Sequence, residues 1–233
     1  MAAGSSAPSI WMRPERAAVG RPAQRSRAEI TAAAVGIADR EGLDAVSMRR
    51  VAAELGTGAA SLYRYVETRD DLLDLMTDAA AAEYALPGPS GDWRADLVAV
   101  GEQSHAIMRR HPWLVGLAIT RPVIGPNAVT VLEHVLTVLA PVQADVATKL
   151  EAFAVLSGVT ALFAQHELTG TAQQERNVAY LQHAVTSGEH PRLAHLLAQA
   201  PEPAPPGAGP DDAYRRILPR ILSGLFEPPP GSA

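Results

Sequence analysis

Val51, Ala52 and Leu55 make one short apolar stripe, Leu62 and Val66 make a second, and only Gly56-Thr57-Gly58 lies between them. Two short helices joined by a three- or four-residue turn containing glycine form a helix-turn-helix unit. Ser47 is a suitable cap for the first helix, Ser47–Leu55, and the second runs over Ala59–Tyr65. Neither helix can bury its stripe alone. Val51, Leu55, Leu62 and Val66 pack the pair against each other and against a preceding helix, and Ala52 lets the backbones approach closely.

That packing accounts for the apolar positions but not for the rest of the second helix. Ala59, Ala60, Ser61, Tyr63, Arg64 and Tyr65 give a face that is small at its N-terminal end and rich in hydrogen-bonding groups beyond. A helix that reads DNA must enter the major groove without collision, touch base edges near its N-terminus and hold phosphates at its flanks. This face meets that requirement. Spacing alone leaves an ordinary αα-corner equally open.

The rest of the chain reads as helix after helix, with no convincing strand and no internal repeat, so the predicted class is all-α. Residues 1–24, with Pro8, Pro14, Pro22 and several arginines but no apolar period, read as a flexible basic arm. Ser26 and Glu29 have the spacing of a capping box, and Ile30, Ala33, Ala34, Ile37 and Ala38 follow at helical intervals until Gly42. Thr68 and Asp71 open a further helix that carries Leu72, Leu73, Leu75 and Met76. The Pro87–Gly91 stretch breaks it and divides a head, 25–86, from a C-terminal domain, 92–227. Beyond that break Asp92 caps a helix bearing Leu97, Val100, Ser104 and Met108. The longest helix is expected over Ala144–Leu168, apolar on nearly all sides and so in need of cover on every side. A last helix runs over Asp211–Phe226, with a kink expected at Pro219.

Charge by itself decides nothing. The formal net charge of −5 averages unlike parts, because residues 1–70 hold ten arginines against eight acids. Phosphate binding needs a local basic surface rather than a basic protein. No signal peptide and no membrane span are legible, which favours the cytoplasm. There is no cysteine, and His166-Glu167 lacks the second histidine of a zinc-protease helix. No phosphate loop or nucleophile elbow is present either, so the reading is not an enzyme and needs no metal or other cofactor.

From Ser26 to about Met76 the wording resembles the DNA-binding domain of TetR-family regulators: the Ala-x-x-Leu-Gly turn (Ala52–Gly56), the Leu-Tyr-x-x-Val recognition helix (Leu62–Val66) and the capped helix with its Leu72-Leu73 pair. The resemblance implies a DNA-contacting set of Ser47, Arg49, Arg50, Thr57, Ala59, Ala60, Ser61, Tyr63, Arg64, Tyr65 and Arg69. Within it Arg49 reaches a base or phosphate, Ala59, Ala60 and Ser61 face base edges, and Arg69 stands where the family carries a phosphate-binding lysine. Glu67 and Asp70 flank Arg69 and weaken that contact. Ala59 and Ala60 cannot donate hydrogen bonds, which shifts direct readout to Arg49, Ser61 and Arg64.

Beyond Pro87 a fainter resemblance, to tetracycline-repressor-like C-terminal domains, rests on the Trp93 start and the Thr120-Arg121-Pro122 turn. It implies a ligand-facing set of Val100, Ser104, Met108, Leu117, Glu133, His134 and Phe153. Leu117 replaces the family's metal-binding histidine, which argues against a metal–tetracycline ligand. His105 and His134 each neighbour an apolar helical stripe and are candidate polar groups for the pocket, with a surface or hydrogen-bonded core histidine as the alternative. The expected whole is a homodimer on a double-stranded, pseudo-palindromic operator, released by a small organic effector that favours wrongly spaced recognition helices. An activator or a protein-responsive regulator of the same fold stays open, as does a small helical binding protein or enzyme.

Overall fold

The computed structural model describes residues 9–14, 25–121, 123–168, 171–199 and 210–226. Among these residues there is no strand, and eleven α-helices follow one another. The head holds α1 (Arg27–Glu41), α2 (Met48–Glu54), α3 (Ala59–Leu62) and α4 (Arg69–Ala81). Next come α5 (Trp93–Arg110), α6 (Pro112–Thr120), α7 (Pro126–Val138) and α8 (Val146–Leu168), then α9 (Thr171–Thr186), α10 (Pro191–Ala198) and α11 (Pro210–Phe226).

Local chemistry sets the helix starts. The Ser26 hydroxyl accepts from Glu29 N–H while the Glu29 carboxylate accepts from Ser26 N–H, and Thr68 with Asp71 repeats the arrangement before α4. Ser47 caps α2 by accepting from Arg50 N–H, and Asp92 caps α5. Gly56, at φ +63°, supplies the left-handed turn between α2 and α3. The longest helix starts two residues later than the sequence suggests, because Asp145 accepts from Thr148 N–H at 2.8 Å and so caps it. Helix α3 closes after Leu62, short of the expected Tyr65. Tyr65 N–H turns back to the Leu62 carbonyl at 2.9 Å, which swings buried Val66 into the core ahead of α4. Helices α9 and α10 fall in a stretch where the sequence reading places no helix, although Leu193, Leu196 and Leu197 of α10 recur at helical spacing; no residue of α10 is buried.

Packing divides differently from sequence. One core joins Ile30, Ile37, Val51, Leu62, Leu72 and Met76 of the head to Ile107, Met108, Trp113, Leu114 and Leu117 of α5 and α6. A second gathers Leu97, Val100, Val135, Leu156, Tyr214, Leu218 and Leu222. Gly101 permits the closest approach in this second core. A methyl group there would lie 2.7 Å from Leu218 Cδ2 and from the Tyr214 hydroxyl, and 2.9 Å from Leu156 Cδ1.

Residues 9–14 depart from the expected flexible arm. Ile10–Met12 is a 3₁₀ turn, Ile10 is only 1% exposed, and Trp11 packs on the head core. The physical reason is that Ile10 and Trp11 give this polar stretch apolar surface to bury.

Candidate DNA interface and effector cleft

On the head, Ser47, Arg49, Ala60, Tyr63, Arg64 and Arg69 are exposed, while Arg50, Thr57, Ala59, Ser61 and Tyr65 are half-buried. Ser61 Oγ donates to the Gly58 carbonyl at 2.8 Å, so the Thr57 hydroxyl, 2.8 Å away, donates to Ser61. The two hydroxyls thus fix the turn and the first residues of α3. Arg50 is engaged by Glu41 and Glu54 at 2.8 and 2.9 Å. The hydrogen bonds that Arg50 donates to Glu41 and Glu54 push its pKa further up. Arg69 donates to the Val46 and Leu43 carbonyls, both at 3.3 Å, and so staples α4 to the turn before α2. Of the arginines singled out from the sequence, Arg49 and Arg64 therefore remain the exposed ones with neither an ion pair nor a side-chain hydrogen bond described. Glu67 and Asp70 do not act on Arg69 as expected, since Glu67 pairs with Arg13 and Asp70 with Arg121.

A seam of charged contacts joins head to C-terminal domain. Arg121 meets Asp70 and Asp74, each at 2.9 Å. His111, at the joint between α5 and α6, places Nδ1 2.7 Å from Asp39 and Nε2 2.7 Å from Glu83. Trp113 Nε1 donates to the same Asp39 oxygen at 2.7 Å, and Arg110 donates to Glu83. Buried Asp78 accepts from Asn127 and Ala128 N–H and from Asn127 Nδ2, at 3.3, 3.0 and 2.9 Å, so a head side chain caps α7. Burial lowers the pKa of His111, but hydrogen bonds to Asp39 and Glu83, with their charges, outweigh it and raise the net value above 6.5. With both ring nitrogens on carboxylates, His111 is an imidazolium.

The sequence-predicted ligand set does not converge on one space. Val100 and Phe153 belong to the second core, Met108 and Leu117 to the first, and Ser104 is buried and bonded to Tyr84. Glu133 is exposed and His134 half-buried on α7. A cleft of about 300 Å³ opens instead beside Glu102, His105, Arg109, Tyr214 and Arg215. His105 stacks on Tyr214 with centroids 4.8 Å apart. Its Nε2 lies 2.9 Å from Glu167 Oε1, yet off the line of a hydrogen bond, so that contact is electrostatic. Thr160 donates to the Leu156 carbonyl, so the Tyr214 hydroxyl donates to Thr160 at 2.8 Å. Burial keeps Tyr214 a neutral phenol, its pKa pushed far up. Of these residues the sequence singles out only His105. Tyr214 falls within the last helix that the sequence predicts, Asp211–Phe226, and nothing marks it there as a site residue.

A capped helix-turn-helix head on a helical domain with its own cleft defines a DNA-binding transcriptional regulator. Residues 30–76 match the model for bacterial regulatory proteins of the tetR family, and residues 86–227 match the tetracyclin repressor-like C-terminal domain. The chain belongs to the TetR family. It is 37% identical to the HTH-type transcriptional repressor DrrR1 of Streptomyces coeruleorubidus over 93% of this chain and 83% of that one. An HTH-type transcriptional regulator of Saccharopolyspora erythraea is 42% identical over 56% of each chain. Among solved structures, the Streptomyces coelicolor TetR family protein ActR in complex with actinorhodin superposes with a TM-score of 0.76 at 29% identity, covering 91% of this chain and 100% of that one.

Proposed function

We propose that this regulator is a homodimeric repressor, cytoplasmic as access to bacterial DNA requires, that binds a pseudo-palindromic operator and leaves it when a small organic molecule occupies the C-terminal domain. The observation that carries the dimer is on α8. Val146, Leu150, Ala154, Gly158 and Leu162 recur every fourth residue and are all exposed, with Leu162 64% exposed. A stripe with small residues at its centre and larger ones at its ends suits close crossing by the same helix of a second subunit. This helix is also long and apolar enough to cross a membrane by composition. Its packing against α5, α6 and α11 fits a protein core and a subunit interface instead.

Ligand release draws support from the cleft beside His105 and Tyr214 and from ActR, which was solved with actinorhodin and with (S)-DNPA. For DNA, Arg49 is the residue placed to read a base. A duplex selected by the parent protein from a random pool should contain two half-sites, and Arg49→Ala should cost roughly 1–3 kcal/mol in gel-shift titrations while relaxing preference at one base position. A uniform loss on all duplexes would reassign Arg49 to a phosphate. A monomer in sedimentation at micromolar concentration would reject the dimer.

A further inference from the structure

We propose that Ser9–Pro14 is a brace for operator reading and that Arg13 is its positioning residue, acting on the recognition corner without touching DNA. The brace is held from within the head. Arg27 on α1 donates Nη1 to the Ile10 and Arg13 carbonyls at 3.1 and 3.0 Å, Nη2 to the Pro14 carbonyl at 3.2 Å, and Nε to the Tyr65 carbonyl at 3.0 Å. One guanidinium therefore ties the brace to the end of the recognition segment. Ile10, sunk in the head core, fixes its register.

From that position Arg13 covers the corner between α3 and α4. Its Nη1 lies 2.8 Å from Glu67, its Nη2 pairs with Asp71, and its side chain is only 14% exposed. Asp71 is also the capping-box partner of Thr68, so Arg13 grips the start of α4. Glu67 is 64% exposed and follows closely on Tyr63 and Arg64 of the DNA-facing segment. An uncompensated carboxylate there would repel the phosphate backbone, and Arg13 neutralises it.

The other end of the brace reaches the C-terminal domain. A methyl group on Gly125, the residue before α7, would collide with the Asp78 carboxylate and lie 2.7 Å from Trp11 Cζ2, so the indole sits against the α7 entry. Trp11 also stands between two open spaces. One, of about 490 Å³, is lined with Arg27, Thr31 and Asn127, and the other, of about 340 Å³, with Asp74, Arg121 and Ile124. The brace thus links the seam between the domains to the corner that reads DNA.

The test is operator affinity of full-length variants at two salt concentrations, on a duplex selected by the parent protein. Arg13→Ala should bind about tenfold more weakly at 0.1 M salt. The deficit should shrink at 0.5 M, as screening shortens the reach of Glu67 to less than about 10 Å. Glu67→Gln should recover most of the loss in the Arg13→Ala background and cost nothing in the parent, and Arg13→Lys should stay near the parent. Trp11→Ala should weaken binding by a similar factor at both salts, since it removes an anchor rather than a charge. If Arg13 instead touched phosphate, the deficit would shrink with salt in the same way, but Glu67→Gln would not rescue it. That result, parent-like affinity of Arg13→Ala or of Trp11→Ala, or a loss on Glu67→Gln alone should Arg13→Ala fail to fold, would overturn the inference.

Discussion

His111→Ala removes a side chain that, from the joint between α5 and α6, grips Asp39 on α1 and Glu83 just past the end of α4. Its two hydrogen bonds go to carboxylates, and buried bonds of that kind are worth about 1.5–3 kcal/mol each. Asp39 and Glu83 are 31% and 35% exposed, which screens both bonds and lowers them to about 1 kcal/mol each. Neither carboxylate is orphaned by the substitution, because Trp113 still donates to Asp39 and Arg110 to Glu83. The expected loss is therefore about 2 kcal/mol, or about 4–8 °C in Tm for a chain of this size. The pH dependence has a fixed sign. The folded pKa of His111 lies above its unfolded value near 6.5, so its contribution is complete below pH 6.5 and is lost as pH rises through the folded value. Glu83 sets the acid limit: burial raises its pKa, but Arg110 and His111 outweigh that and hold it below 4.5. Calorimetric melts of parent and His111→Ala at pH 6 and pH 9 should differ by the full amount at pH 6 and converge at pH 9. Parallel pH profiles, or no difference at pH 6, would refute the imidazolium assignment.

Two further substitutions test the packing that positions the cleft and the seam. Gly101→Ala should destabilise by about 1–2 kcal/mol in urea titrations. Overpacking against Leu218, Tyr214 and Leu156 costs about 1–3 kcal/mol, and the gain in helix propensity offsets at most about 1. A variant more stable than the parent would show that α11 gives way freely. Asp78→Ala should cost about 2–3 kcal/mol by uncapping α7 and stranding Asn127, whereas Asp78→Asn should cost less, and equal losses would show that the cap is not the cause.

What the sequence reveals here is what depends on neighbours in the chain. The capping boxes at Ser26 and Thr68 are signals confined to three or four residues, as are the Gly56 turn and the Asp92 cap, and all are present in the fold. The recognition segment was readable for the same reason. Arg13, Asp78 and His111 are not, because their partners lie 28 to 72 residues away and nothing local marks them. The proposed ligand set shows a third case. The helices that carry Val100, Met108 and Phe153 are legible in the sequence, but Val100 and Met108 go to different cores, and α11 packs on α5 with Tyr214 beside His105, a tertiary arrangement with no signature in either helix.

The charge pattern resolves once the seam is known. Asp39, Asp70, Asp74, Asp78 and Glu83 all lie on α1, on α4 or just past its end, and all meet donors from the C-terminal domain: His111, Trp113, Arg121, Arg110 and the first amides of α7. Glu67 and Asp71 turn to Arg13, and Glu54 to Arg40 and Arg50. Of the eight acids counted in residues 1–70, Asp39 and Asp70 are thus placed against the other domain, Glu67 against the brace, and Glu41 and Glu54 against partner arginines. Arg49 and Arg64 stay outward on the α2–α3 side. The field met by a phosphate is set by that placement rather than by the net charge of −5. The same placement means that α2 and α3 are carried by α1, α4 and the brace. Under the proposed ligand release, a change at the α6–α7 end would reach the recognition helix as a shift of the whole head against this acidic seam, which His111→Ala and Asp78→Ala cut at two different points.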